Sequence, residues 1–116
     1  MKYRVILAAL LLSALTALAQ AHSVDLKCTA PTTGGAVTGF NVKRGTVAGG
    51  PYTTIASPTT CAFTDASTAV QTEGATFKYV FTATGPGGES SNSNEVSATI
   101  PFSKPDAPTA PTATPH

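Results

Sequence analysis

A chain of 116 residues has room for one domain. Its 7 Lys and Arg stand against 6 Asp and Glu, a balance that gives no support to a nucleic-acid surface and excludes a strongly acidic tail. Only 11% of the residues are charged, Trp is absent, and Thr, Ala, Gly and Pro are abundant, so the composition suits short strands and turns around a small core rather than charge-laced helices.

Residues 1–21 read as a secretory signal peptide. Lys2 and Arg4 form a basic start, Val5 to Ala19 is apolar or small throughout, and Ala17-Leu18-Ala19 and Ala19-Gln20-Ala21 each offer a cleavage site. The run falls short of the roughly 20 residues that a bilayer crossing needs. No Cys follows it at a lipidation position. The expected destination is secreted or periplasmic, with no membrane attachment after cleavage. Removing the leader leaves five basic and six acidic residues, a nearly neutral chain.

The mature chain opens on His22 to Thr29, where Val24, Leu26 and Cys28 share one face and Asp25 and Lys27 the other, the alternation of a half-buried strand. Ala30 to Thr38 is rich in Pro, Gly and Thr and reads as a loop. In the next strand Phe40 and Val42 point inward and Asn41 and Lys43 outward. Three glycines between Gly45 and Gly50 permit the turn into a short strand from Tyr52 to Ala56 that packs Ile55. Thr60 to Thr64 alternates with Cys61 and Phe63 on one face. Asp65 to Gly74 follows as a polar connection anchored by Val70.

Ala75 to Thr84 carries the strongest pattern, with Phe77, Tyr79, Phe81 and Ala83 opposite Lys78, Val80 and Thr82. Gly85-Pro86-Gly87-Gly88 must turn, and Glu95 to Ile100 closes the domain with Val96, Ala98 and Ile100 in phase. Residues 102–116 repeat Pro with Thr and Ala, show no apolar periodicity, and read as an extended, disordered tail with polyproline II character. Six short strands separated by turns, with no helical period beyond the leader, predict an all-β antiparallel sandwich over residues 22–101.

The segments GFNVKRGTVAGGPYTTIA and FKYVFTATGPGGESSNSNEVSATIP together resemble a bacterial-type fibronectin type III domain, from about Ser23 to Pro101. The resemblance implies an immunoglobulin-like two-sheet sandwich that binds, spaces or assists and has no catalysis of its own. Three departures stand out. Cys28 occupies the position of the family's second-strand Trp. Phe77 falls where the family has a Tyr whose hydroxyl bonds back across a corner. The family's first strand is missing, because the cleavage site abuts the strand beginning near Ser23.

The same resemblance makes the strands of Cys28 and Cys61 sheet neighbours, which implies a disulfide between the only two cysteines. Over a ring of about 34 residues it stabilises by roughly 3 to 4 kcal/mol. Two free buried thiols, or an intermolecular or redox role, are the alternatives. The family often places recognition residues in the loop from Gly85 to Asn94, which points to Gly85, Gly87, Gly88, Glu89, Ser90 and Asn92. No Arg-Gly-Asp occurs in it.

Other chemistry gains little from the residues. The acids Asp25, Asp65, Glu73, Glu89, Glu95 and Asp106 are scattered over loops and outward faces and read as solvated surface. No His lies within the domain to activate a serine. Lys43 and Arg44 form a basic pair read as a solvated strand edge, with a small anion or a polysaccharide as the functional alternative. His22 would become the first residue after cleavage at Ala21. It reads as an unremarkable terminus, or as half of a copper chelate that lacks a second His in the fold.

The expected function is therefore an exported, non-catalytic binding or scaffold module for a protein or carbohydrate ligand, with no cofactor, no metal and no nucleic acid. The alternative is structural assembly: a missing first strand leaves an open edge that accepts a strand from another chain, self-association included. A neighbour's Pro-rich tail is one donor, against which its prolines count, and a different partner protein is another. Copper binding through His22 is a third reading.

Overall fold

The computed structural model describes residues 21–116, so the leader expected at residues 1–21 lies outside the described residues except for Ala21. Among these residues seven strands form two antiparallel sheets. β1 (Val24–Lys27) pairs with β4 (Ala62–Asp65), Leu26 opposite Phe63. The second sheet runs β3 (Thr53–Ala56), β2 (Gly39–Gly45), β5 (Thr76–Gly85) and then a broken edge strand. That edge is made by β6 (Gly88–Glu89) and β7 (Val96–Thr99), each paired with β5.

Period-two alternation places the core between the sheets. Leu26 comes from the smaller sheet, and Val42, Phe77, Tyr79 and Phe81 come from the larger. Val70 sits fully buried on a single 3₁₀ turn, Thr68–Gln71, which interrupts the connection between β4 and β5. Ile100 seals the same end, accepting from the Gly74 amide and donating to the Ala75 carbonyl. The turn after β2 passes through Gly49 and Gly50 with φ of 83° and 97°, a region that a side chain disfavours, and this returns the chain as β3.

Three expectations are corrected here. Asp65 is not the start of a polar connection: it extends the Cys61, Phe63 alternation by one more step, ends β4, and is 1% exposed. Phe77 is not the residue that leaves the corner without a hydroxyl: Tyr79, two positions on and fully buried, supplies one to Asp65. On the side of β5 opposite that core face, Val80 and Thr82 are each only 2% exposed. Glu95, beyond one flank of β5, bonds the Gly49 amide and the Tyr52 hydroxyl beyond the other, so this strap crosses the strand at the level of Val80. Finally, the tail does not leave the body at residue 102: Ser103 donates to Glu73, and the Phe102 ring lies against Gly74.

Among the described residues β1 pairs with β4 alone and no strand pairs with its other edge.

Candidate functional site

The loop end of the sandwich is built by three segments: the end of β1 with the loop 29–38, the segment 57–61 that leads into β4, and the 85–93 region between β5 and β7. Cys28 and Cys61 join two of these. They are disulfide-bonded with Cα atoms 5.1 Å apart, and the Cys28 amide donates to the Cys61 carbonyl at 2.9 Å. The loop 29–38 then folds against the β5–β6 hairpin. A Cβ on Gly85 would collide with the Ala36 carbonyl oxygen, so only glycine lets the two loops approach this closely. The Thr38 amide bonds the Thr84 carbonyl at 2.8 Å and fixes their spacing.

Two adjoining grooves result. One, of about 210 Å³, has Phe40, Phe81 and the disulfide along its floor and Ser91 and Ser93 on its rim. The other, of about 290 Å³, lies between Thr33–Val37 and Gly85–Ser90. Pro31, Ala83 and Ser90 border both. Both volumes fall below the roughly 300 to 1,000 Å³ of sites that enclose a drug-sized molecule. They fit the side chain of a peptide or the edge of a sugar.

The residues expected to recognise a ligand divide into two groups. Glu89 is held internally by Asn41 (2.9 Å), Thr82 and Lys43 (3.0 Å). Those bonds, Thr82's first, hold its carboxyl down at about 2, well under the usual carboxylate range. Ser90 is likewise occupied, its Oγ accepting from the Ala83 amide at 2.8 Å. Ser93 does the same for the Phe81 amide at 2.9 Å. These two hydroxyls substitute for ladder carbonyls where the edge strand breaks between β6 and β7. Gly85 is committed to the approach to Ala36. Gly87, Gly88 and Asn92 remain on the exposed rim, with Gly88 at φ 113° in the hairpin turn. Sequence reasoning missed Pro31, Ala36, Val37, Phe40 and Phe81 as groove residues. The repeated glycines facing a Pro/Thr loop were the available signal.

Lys43 and Arg44 are not a solvated edge. As neighbours on a strand they point to opposite faces: Lys43 outward to Glu89, Arg44 to the buried Asp65. At Asp65 Oδ2, Arg44 donates at 2.8 Å and the Tyr79 hydroxyl at 2.7 Å, while Ser67 donates to Oδ1 through its hydroxyl at 2.8 Å and its amide at 3.2 Å. Burial alone would raise the Asp65 carboxyl, but the Tyr79, Arg44 and Ser67 donors outweigh it and bring it below its ordinary value. The Tyr79 hydroxyl is pushed up, by burial first and by Asp65 next. Arg44 also lies 5.5 Å from the centre of the Phe77 ring. This arrangement satisfies a buried charge and presents nothing to a substrate.

His22 is not a bare first residue either. Its amide donates to Gln71 Oε1 at 2.7 Å and its Nε2 lies 3.0 Å from Glu73, which Ser103 also contacts. The imidazole is thus engaged at the opposite end from the grooves, and His116 ends the exposed tail.

No protein-family model matches the chain, and no curated protein matches it. Solved structures do. An Fn3-like protein from Clostridium thermocellum is 34% identical, with a TM-score of 0.58 over 71% of this chain and 80% of that one. An Fn3-containing twitchin kinase region from C. elegans is 19% identical with a TM-score of 0.60. That match covers 71% of this chain but 14% of the twitchin chain, and it supports the fold alone.

Proposed function

This chain belongs to the fibronectin type III family, and we propose that it is an exported, non-catalytic binding module that engages a protein or carbohydrate at its loop end. The observation that carries this reading is the pair of adjoining grooves between the loop 29–38 and the β5–β6 hairpin, with Gly87 and Asn92 exposed beside them. Their size favours an anchoring side chain or sugar face over an enclosed small molecule. Export is supported by the basic, apolar and small-residue order of residues 1–21 and by a disulfide that suits an oxidising compartment. Amide chemical shifts recorded against a panel of neutral oligosaccharides and extended peptides test the site. Shifts clustered at Val37, Gly87, Ser91 and Asn92 are expected. A cluster on β3 or β7, or no response to any member, contradicts it.

A second reading is favoured by one specific observation, the open flank of β1. In it the chain is an assembly unit that takes a strand from another chain. A variant carrying an added N-terminal strand stays monomeric under this reading, and association equal to that of the native chain would sink it.

A further inference from the structure

The open flank of β1 has a defined hydrogen-bonding demand. The Cys28 amide bonds the Cys61 carbonyl, so by antiparallel alternation Val24, Leu26 and Cys28 turn their backbone groups toward β4. Asp25 and Lys27 turn theirs outward, toward the edge that no strand pairs. Their charged side chains and the strand's four-residue length blunt indiscriminate pairing, so a guest must be matched to the site. The groove floored by Phe40, Phe81 and the disulfide begins at Cys28, the residue after the end of β1. A guest therefore needs backbone donors at alternate residues and small apolar groups on the face turned to the sandwich.

Such a segment lies in the tail. Over residues 110–115 both prolines, Pro111 and Pro115, fall on the same parity, with Ala113 between them. Ala110, Thr112 and Thr114 fall on the other. In an extended strand this puts Pro-Ala-Pro on one face and Ala-Thr-Thr on the other, and it leaves every N–H on the second parity able to pair. The proline positions lack only N–H groups that would point to solvent, the arrangement tolerated at a sheet edge. The prolines that count against the tail as a whole are in register here.

Running straight on along β1, the chain's own tail misses this register. Ser103 and His22 both contact Glu73, so the tail passes the start of β1. The four residues of β1 span ~13 Å at ~3.3 Å per residue. Residues 104–109 would lie beside them if the tail ran on along that edge. Pro105 and Pro108 occupy opposite parities there, so either register loses a ladder donor. On that path residues 110–115 fall past the end of β1. All of residues 104–116 are exposed in the structure.

We propose that residues 110–115 of a second copy of this chain add to the open edge of β1 as the missing first strand, with Pro111, Ala113 and Pro115 turned toward the sandwich. This rests on the assembly reading of the open edge and names its partner. The six residues 104–109 act as a connector, and mutual exchange of tails closes a two-fold dimer.

Sedimentation velocity over a hundredfold concentration range tests the proposal on the full chain, a chain ending at Ser103, and two tail variants. The full chain is expected to dimerise and the shortened chain to stay monomeric. Thr112→Pro combined with Thr114→Pro removes two paired donors and weakens association at least tenfold. Ala113→Pro, on the other parity, leaves it within twofold. A full chain that is monomeric throughout, or equal effects of the two tail variants, overturns the proposal. If the shortened chain associates as well as the full chain and an added N-terminal strand abolishes this, the tail is the wrong donor while the open edge stands.

Discussion

Where β4 meets the 3₁₀ turn, donors from three segments converge on one buried carboxylate; at the opposite end the loops meet across small residues and leave two grooves open. Both ends contain a carboxylate held by several partners, yet the outcomes differ. Asp65 is buried, and its bonds tie β2, β4 and β5 together. Glu89 is exposed, and its bonds fix the foot of a hairpin whose tip projects beyond them. The closed end sets the framework, and the loop end keeps a fixed base under a free rim. That division suits a binding module, in which contact residues can vary without loosening the core.

Asp65→Ala should break the comparison most severely. It leaves Arg44 and Tyr79 without their acceptor in a buried site, and a loss of about 3 to 5 kcal/mol is expected in urea unfolding. Reducing the Cys28–Cys61 bond attacks the other end. The loop-entropy argument for a separation of 33 residues puts its contribution at about 3 to 4 kcal/mol, read as a lower unfolding midpoint in reductant. Gly85→Ala forces the loop 29–38 away from the hairpin, at about 1 to 3 kcal/mol, and should reshape both grooves while leaving the amide shifts around Asp65 unchanged. Asn92→Ala, on the exposed rim, should move stability by no more than about 0.5 kcal/mol. Any larger effect would mean that the rim is structural.

Acid sharpens the same contrast. Both carboxyls sit below their ordinary values in the folded chain, so each stabilises the fold above its unfolded pKa and loses that contribution as pH falls through the folded one. For Glu89 this window runs from about 4.5 down to about 2. Stability should therefore decline below about pH 4.5, and Asp65→Asn and Glu89→Gln should each make the decline shallower. An acid limb of unchanged slope in Asp65→Asn would show that the buried carboxylate is not held as described.

Much of the framework was legible because period-two patterns are local. Phe77, Tyr79 and Phe81 announce β5, and Val70 stands out as the single anchor of a polar stretch. Asp65 was not legible, since a carboxylate after Thr64 and before Ala66 and Ser67 reads as the start of a turn. Only its place in phase with Cys61 and Phe63, and the need of a buried Tyr79 hydroxyl for a partner, could have pointed inward. The grooves were harder still. The glycines and serines of residues 85–93 suggested an adaptable loop, but Ala36 at the back of Gly85 and Ser90 on the Ala83 amide are contacts between segments about 49 and 7 residues apart, fixed by the tertiary fold.

Amide hydrogen exchange on the native protein tests the division between framework and rim most directly. Slow exchange at Val42, Tyr79 and Phe81, with exchange at least a hundredfold faster at Thr33–Ala36, Gly87 and Asn92, is the predicted result. Uniform protection across both ends, or rapid exchange around Tyr79, would contradict it.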